Sequence, residues 1–127
     1  MTIKRLPAEW EPQHALLLTW PHESGAWGKD THNIEDVFVN ITRAVSKTQT
    51  VIIGAYDATH QQLILNKLNQ IGVVTNVKAY LVPSNDVWAR DHGPITIQRD
   101  GRSVLCDFQF TGWGDKYHYQ LDDQIPR

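Results

Sequence analysis

Residues 50–57 read TVIIGAYD, and this stretch decides the fold class. Its first six residues, Thr50–Ala55, are a short apolar run rich in β-branched side chains, which is typical of a buried strand. Asp57 follows and can cap a helix, because its carboxylate can accept hydrogen bonds from the first backbone N–H groups. The apolar stripe of that helix is Ile64, Leu65, Leu68 and Ile71, and Gly72 ends it. The stretch therefore predicts a buried strand followed by an amphipathic helix.

The same alternation precedes this stretch. Residues 14–20 form an almost continuous apolar run that Pro21 ends, which predicts another buried strand. A helix is then predicted from a cap at Asn33 to about Lys47, with acidic residues in its first turn. The apolar stripe of this helix is Ile34, Val37, Phe38, Ile41 and Val45.

Strands dominate the part of the chain that follows. Residues 77–82 predict a third buried strand. Residues 94–98 and 103–110 predict a hairpin, because Asp100-Gly101 is a strong turn signal. Strands that alternate with helices predict an α/β fold with a mixed sheet and helices on its outer faces. We expect residues 1–127 to belong to one domain, since no linker or low-complexity tract divides them.

Composition excludes several classes of function. A net charge of −2 gives no electrostatic footprint for nucleic acid or for an anionic membrane, and no apolar run is long enough to span a bilayer. The single cysteine, Cys106, rules out an internal disulfide framework and fits a reducing compartment. We therefore predict a cytoplasmic protein with no nucleic-acid or membrane partner.

Residues 83–94 read PSNDVWARDHGP and hold the candidate site. We expect this segment to be a non-helical loop bounded by Gly93-Pro94, at the end of a strand where α/β folds place ligands. A carboxylate at Asp91 matches a guanidinium in bidentate fashion, and the indole of Trp88 can hold the same cation against its face. The alternative is structural: Asp91 pairs with Arg90 or caps a turn, and Trp88 only packs. The residues alone leave both interpretations open.

Other catalytic patterns are missing from the sequence. The six histidines lack the spacings of a metal site, so no metal is predicted, and no phosphate-binding or dinucleotide-binding glycine motif is found. Cys106 lies inside a predicted strand, where a thiol is usually a small buried hydrophobe and not a nucleophile.

Four motifs carry a resemblance to a known family. They are PAEWEPQH at 7–14, TWPH at 19–22, NDVWARDHGP at 85–94 and DFQFTGWGDKY at 107–117. In this order they closely resemble the N-terminal part of agmatine deiminases and of the bacterial peptidylarginine deiminase-like proteins. The resemblance implies a pentein fold, a ring of five α/β units, of which this chain would supply about the first two.

The resemblance also implies a chemistry and its residues. Such enzymes hydrolyse a guanidine to a urea and ammonia without metal or cofactor, through a covalent intermediate on a cysteine. Asp91 would be one of the catalytic carboxylates that bind the guanidinium, and Trp88 would line the same substrate pocket. Asp86 and Arg90 would brace the loop. The substrate would be a small guanidinium compound, with agmatine and peptidyl-arginine both left open.

The chain departs from the family pattern in three respects. The family's nucleophilic cysteine and its His-x-Asp lie in segments that this sequence does not contain. Residues 111–115 read TGWGD where the family usually has Asn-x-Trp-Gly-Gly. Residues 121–127 resemble the acidic first turn of a further helix, so we expect a truncated chain that is inactive alone. A partial ring would expose sheet edges, which favours self-association.

Overall fold

The computed structural model describes residues 4–127. Strands and helices alternate through the first two thirds of the chain, and strands then follow each other directly. The strands are β1 (Lys4–Arg5), β2 (Ala15–Thr19), β3 (Thr50–Ala55), β4 (Val77–Leu81), β5 (Ile95–Arg99) and β6 (Arg102–Cys106). The right-handed α-helices are α1 (Thr31–Val45), α2 (Ala58–Gln70) and the single turn α3 (Ala89–His92). A turn at positive φ occupies Gly112–Asp115, and 3₁₀ turns occupy Gly28–Asp30 and Asp122–Gln124. The predicted α/β class is confirmed.

A parallel sheet in the order β2-β3-β4 forms the centre of the fold. Leu16 pairs with Val51, and Val51 pairs with Val77. The predicted bounds of β3 are confirmed, and those of β2 and β4 are right to within one residue at each end. Because parallel strands share a direction, the carboxyl ends of all three lie at one edge of the sheet.

Helices α1 and α2 cover one face of this sheet side by side. Glu35 on α1 binds the ammonium group of Lys67 on α2 at 2.5 Å, which shows that the two helices are neighbours. This arrangement follows from two crossovers of the same hand between successive strands. The residues buried between sheet and helices are Leu18, Trp20, Phe38, Val39, Val51, Ile53, Ala55, Ile64 and Leu68.

Both predicted apolar stripes need correction. In α1 Val39 is buried and Val37 is exposed, because residues 37–39 are all apolar and spacing alone does not decide which of them faces the sheet. In α2 only Ile64 and Leu68 of the predicted stripe are buried, while Leu65 and Ile71 lie at its exposed margin.

Of the two predicted helix caps, one is confirmed and one is wrong. Asp57 caps α2 as predicted, since its Oδ1 accepts a hydrogen bond from the His60 N–H at 2.8 Å. The predicted cap at Asn33 is wrong. Helix α1 begins at Thr31 because a 3₁₀ turn runs directly into it, and the Thr31 hydroxyl donates to the Gly28 carbonyl.

The expectation of one mixed sheet is wrong. Strands β1, β5 and β6 form a second, antiparallel sheet in the order β1-β5-β6. The segment after β4 turns away from the parallel sheet, so β5 pairs with its own hairpin partner and with β1. The predicted hairpin is confirmed, with Asp100 and Gly101 both at positive φ in its turn, but β6 ends at Cys106 and not at 110.

The chain closes with a short 3₁₀ turn, Asp122–Gln124, where the sequence predicted the first turn of a longer helix. Among residues 4–127 no helix has both the length and the apolar character needed to cross a membrane.

Candidate functional site

The site segment, residues 83–94, leaves the carboxyl edge of the parallel sheet after β4. It was expected to be non-helical, and that expectation is wrong for Ala89–His92, which form one helical turn. Gly93 ends this turn in an extended conformation (φ −72°, ψ 163°), because the ring of Pro94 disfavours the helical conformation in the residue before it. Gly93-Pro94 therefore terminates a helical turn and does not prevent one.

Trp88 stands at the beginning of this turn with its side chain 46% exposed. Its indole Nε1 donates to Asp86 Oδ2 at 3.0 Å, and Asp86 Oδ1 accepts from the Val87 N–H at 2.7 Å. Asp86 thus braces the segment, as the sequence led us to expect. The indole edge is held by this contact, which leaves the accessible part of the ring for other contacts.

Asp91 lies one turn after Trp88, and its backbone N–H donates to the Trp88 carbonyl at 2.9 Å. Its side chain is exposed, and within residues 4–127 its carboxylate has neither a hydrogen bond nor an ion pair. The alternative pairing with Arg90 does not form. Arg90 points away and approaches Glu9 instead, with 3.5 Å between Nη1 and Oε1. The turn therefore presents a carboxylate that is available to a cation, next to a partly exposed indole.

His92, to which the sequence analysis assigned no role, is buried beneath this turn. Its Nε2 lies 2.8 Å from the Thr19 hydroxyl at the end of β2, 73 residues away in the chain. Burial lowers the pKa of His92 to about 4, so the imidazole is neutral at pH 7. It does not form an ion pair with Asp122, whose Oδ2 lies 3.9 Å from Nδ1. No local pattern signals this role, because Thr19 is distant from His92 in the sequence.

The beginning of the segment is held by the residues that follow β2. His22 Nε2 donates to the Ser84 carbonyl at 3.0 Å, and the His22 ring stacks on Tyr56 with 4.2 Å between centroids. His22 and Ser84 are both buried. The motif at 19–22 therefore serves the segment at 83–94, since Thr19 supports its end and His22 supports its beginning.

The surroundings of Trp88 and Asp91 are open to solvent. Two surface hollows lie elsewhere: one at the hairpin turn beside Arg5 and Gln98, and one along residues 115–120. Within residues 4–127 no group of three or more His, Cys, Asp and Glu side chains is arranged to hold a metal ion. Trp88 and Asp91 therefore lie on an open surface of the described residues and not in a closed pocket.

Residues 111–115, where the sequence departs from the family pattern, form a left-handed turn. Trp113, Gly114 and Asp115 have φ values of 58°, 80° and 60°. Asp115 thus adopts a conformation that favours glycine, although aspartate tolerates it better than most residues. The Phe110 ring beside this turn contacts His92 edge to face, with 5.9 Å between centroids, which links the turn to the site segment.

Replacing Gly93 by alanine is expected to loosen the site segment and to destabilise the chain by about 1–3 kcal/mol, the usual cost of an added group in a packed place. A Cβ at Gly93 would lie 2.4 Å from the Ala89 carbonyl oxygen and 3.2 Å from Leu17 Cδ2. Urea unfolding measures the loss. Gly54→Ala is the matched control, because its added methyl meets the Val82 side chain at an ordinary 3.6 Å. Equal stability of the two variants would contradict this account.

Known deiminases match this chain along nearly its whole length. The family model described as Porphyromonas-type peptidyl-arginine deiminase matches residues 5–127. An agmatine deiminase from Pseudomonas aeruginosa is 26% identical over 133 residues, which covers 97% of this chain and 34% of that protein.

Solved structures match as well. A C. jejuni agmatine deiminase, a Cys-to-Ser variant with substrate bound, superposes with a TM-score of 0.85 at 28% identity and covers 98% of this chain and 35% of that one. An agmatine deiminase of Enterococcus faecalis superposes with a TM-score of 0.72 at 23% identity, over 94% of this chain and 33% of its own, and supports the fold alone. The chain spans about a third of the length of these relatives.

Proposed function

Since this chain belongs to the Porphyromonas-type peptidyl-arginine deiminase family, we propose that it forms part of an enzyme that hydrolyses the guanidine group of agmatine or of peptidyl-arginine to a ureido product and ammonia. The observation that carries the proposal is the carboxylate of Asp91, which is exposed and unpaired within residues 4–127 and lies one helical turn after a partly exposed Trp88. The family relationship supports a guanidine-modifying function, and these two side chains have the chemistry to bind a guanidinium group.

Asp91 binds the substrate cation in this proposal. A guanidinium is planar and offers parallel N–H donors that a carboxylate accepts in bidentate geometry. The indole of Trp88 contacts the same cation from the side, an interaction worth about 1–2 kcal/mol when water is excluded. Together they orient the guanidinium carbon for attack and stabilise its charge as the bonds rearrange.

The nucleophile and the general acid–base lie outside these residues in our proposal. Cys106, the one cysteine, ends β6 in a half-buried position and forms no hydrogen bond to a histidine among residues 4–127. His92 is buried, neutral and bound to Thr19, so it serves the structure of the segment. A cysteine thiol becomes an effective nucleophile when a base or a cation favours its thiolate, and among residues 4–127 no histidine or cation forms a hydrogen bond with Cys106.

The proposal also assigns this chain to a part of a larger fold. We propose that residues 1–127 are the N-terminal portion of a single pentein domain and form about the first two of its five units, in a cytoplasmic enzyme that needs no cofactor. The chain's span of about a third of its relatives supports this assignment. The rest of the ring would close the pocket over Trp88 and Asp91.

A colour assay for ureido products tests whether this chain lacks the nucleophile and the general acid–base group. The 127-residue chain incubated with agmatine is expected to form no product, whereas a full-length family member assayed in parallel forms it. Product formation by the 127-residue chain that is lost on Cys106→Ala would overturn the proposal.

A second candidate is a non-catalytic guanidinium-binding or assembly module. It is favoured by the presence of an available carboxylate without a paired cysteine and histidine in the described part of the chain. The intact mass of the protein from its own cells separates the two, because a species more than twice the mass of this chain excludes the free-standing module. Tight agmatine binding by the isolated chain in isothermal titration would favour the module over the partial enzyme.

A further inference from the structure

Asp122 is a buried carboxylate that the proposed chemistry does not use. It is 1% exposed and lies in the closing 3₁₀ turn. Among residues 4–127 it has no cation as partner, since the nearest candidate is the neutral His92. Burial raises the pKa of Asp122, and the backbone N–H groups of Asn85 and Asp86 act against that rise. A carboxylate that a protein buries without a cation is held by the hydrogen bonds it accepts.

Those hydrogen bonds come from the beginning of the site segment. Asp122 Oδ1 accepts from the Asn85 N–H at 2.7 Å and from the Asp86 N–H at 3.2 Å. Asn85 returns the contact, because its Oδ1 accepts from the Leu121 N–H at 2.9 Å. Three hydrogen bonds therefore join the segment to a turn 36 or 37 residues further along the chain.

The same carboxylate also reaches the end of the segment. Its Oδ2 lies 3.9 Å from Nδ1 of His92, the residue after Asp91. In the chain, Trp88 and Asp91 thus lie between a place that is hydrogen-bonded to Asp122 and a place that approaches it within 3.9 Å. A direct line of contacts also leads to Trp88, since Asp122 holds the Asp86 backbone and the Asp86 side chain accepts from the Trp88 indole.

We propose that Asp122 is a positioning residue: by holding the backbone of Asn85 and Asp86, its carboxylate fixes the directions in which Trp88 and Asp91 face a guanidinium. This inference rests on the proposed function for its ligand, but the restraint on the segment is measurable without any ligand. It assigns the turn Asp122–Gln124 to the support of the site and not to contact with the ligand.

Amide hydrogen exchange of the 127-residue chain tests the restraint. In the Asp122→Ala variant the amides of Asn85 and Asp86 are expected to exchange at least about ten times faster, while the amide of Ile53 in β3 keeps its rate. The Trp88 indole N–H resonance is expected to broaden. Asp122→Asn retains an acceptor oxygen and is expected to restore most of the protection.

Asp123→Ala is the matched control. Asp123 lies in the same turn and also accepts a backbone hydrogen bond, but from Phe110 at 2.8 Å and not from the site segment. Its replacement is expected to leave the amides of Asn85 and Asp86 protected. Unchanged exchange in Asp122→Ala, equal acceleration in both alanine variants, or a parallel rise at Ile53 would each overturn the inference.

Two further measurements keep the test decisive. If Asp122→Ala does not fold, NMR of the unmutated chain is used instead. It must show scalar coupling between the Asn85 backbone nitrogen and the Asp122 carboxyl carbon, transmitted across their hydrogen bond. Absence of this coupling overturns the inference. In a separate arm agmatine is added. No response at Trp88 in the unmutated chain would count against the proposed function and leave the exchange result standing. Equal responses in the unmutated chain and in Asp122→Ala would overturn the positioning role.

Discussion

Replacing the aspartate that corresponds to Asp91 by asparagine, in a full-length family member, is expected to lower kcat/KM for guanidine hydrolysis by about 100-fold or more, or about 3 kcal/mol. Asparagine has nearly the same shape but lacks the charge, and it offers one acceptor oxygen where a guanidinium needs two. The exposed position of Asp91 and its lack of a partner in the described residues indicate that the fold does not depend on its charge. Colorimetric detection of the ureido product measures the loss.

The control for this prediction is the residue corresponding to Glu9. Glu9 is an exposed carboxylate beside the same segment, where it approaches Arg90. Glu9→Gln removes a neighbouring charge of the same sign without touching the proposed guanidinium contact. We expect activity within about twofold of the parent, as for most exposed ion pairs. An Asp91 variant that keeps more than half of the parent activity, with an unchanged circular dichroism spectrum, would refute the assigned role.

His92 is expected to make the stability of this chain depend on pH by up to about 3 kcal/mol, since its pKa of about 4 lies well below the ordinary 6.5. Between these two values the unfolded chain binds a proton that the folded chain does not. Acid therefore favours unfolding: the contribution is fully present above pH 6.5 and is lost as the pH falls through about 4. Urea unfolding of the 127-residue chain at a series of pH values measures this dependence.

His92→Gln isolates the effect, because glutamine can still bond to the Thr19 hydroxyl but does not titrate in this range. Burial also lowers the pKa values of His22 and His60, and these residues remain in both proteins. The difference between the two pH profiles, and not their absolute level, therefore reports on His92. Parallel profiles between pH 7 and pH 4 would show that His92 is not neutral and buried as described.

Local patterns explain which parts of the fold were predictable. Thr50–Ala55 is a continuous apolar run, and Asp57 has only to bond to a backbone group three residues away, so both were predicted correctly. The beginning of α1 was not, because the 3₁₀ turn Gly28–Asp30 runs into it and the Asp30 side chain forms no capping hydrogen bond. The second sheet was missed because β1 is two residues long and carries no periodicity.

In the candidate site, too, features set by neighbouring residues were predictable and features set by distant residues were not. Trp88 and Asp91 lie close together in the chain, so their residue types alone marked the segment. The residues that hold the segment are far from it in the chain. Thr19 contacts His92 across 73 positions, and Asp122 contacts Asn85 across 37. Contacts of that range depend on how the elements pack, and neither Thr19 nor Asp122 differs by type from an ordinary polar residue. Sequence reasoning thus named the two groups that we propose to meet the ligand, and it did not name Thr19 or Asp122, which contact the segment that carries them.

Titration of the ¹⁵N-labelled 127-residue chain with agmatine tests most directly whether Trp88 and Asp91 bind a guanidinium group. Putrescine, the matching amine without the guanidine group, is the comparison ligand. The account predicts that agmatine shifts the Trp88 indole and Asp91 amide resonances, that putrescine shifts them far less, and that Asp91→Asn abolishes the response. Equal shifts with the two ligands, or no shift at either residue up to the highest agmatine concentration, would contradict it.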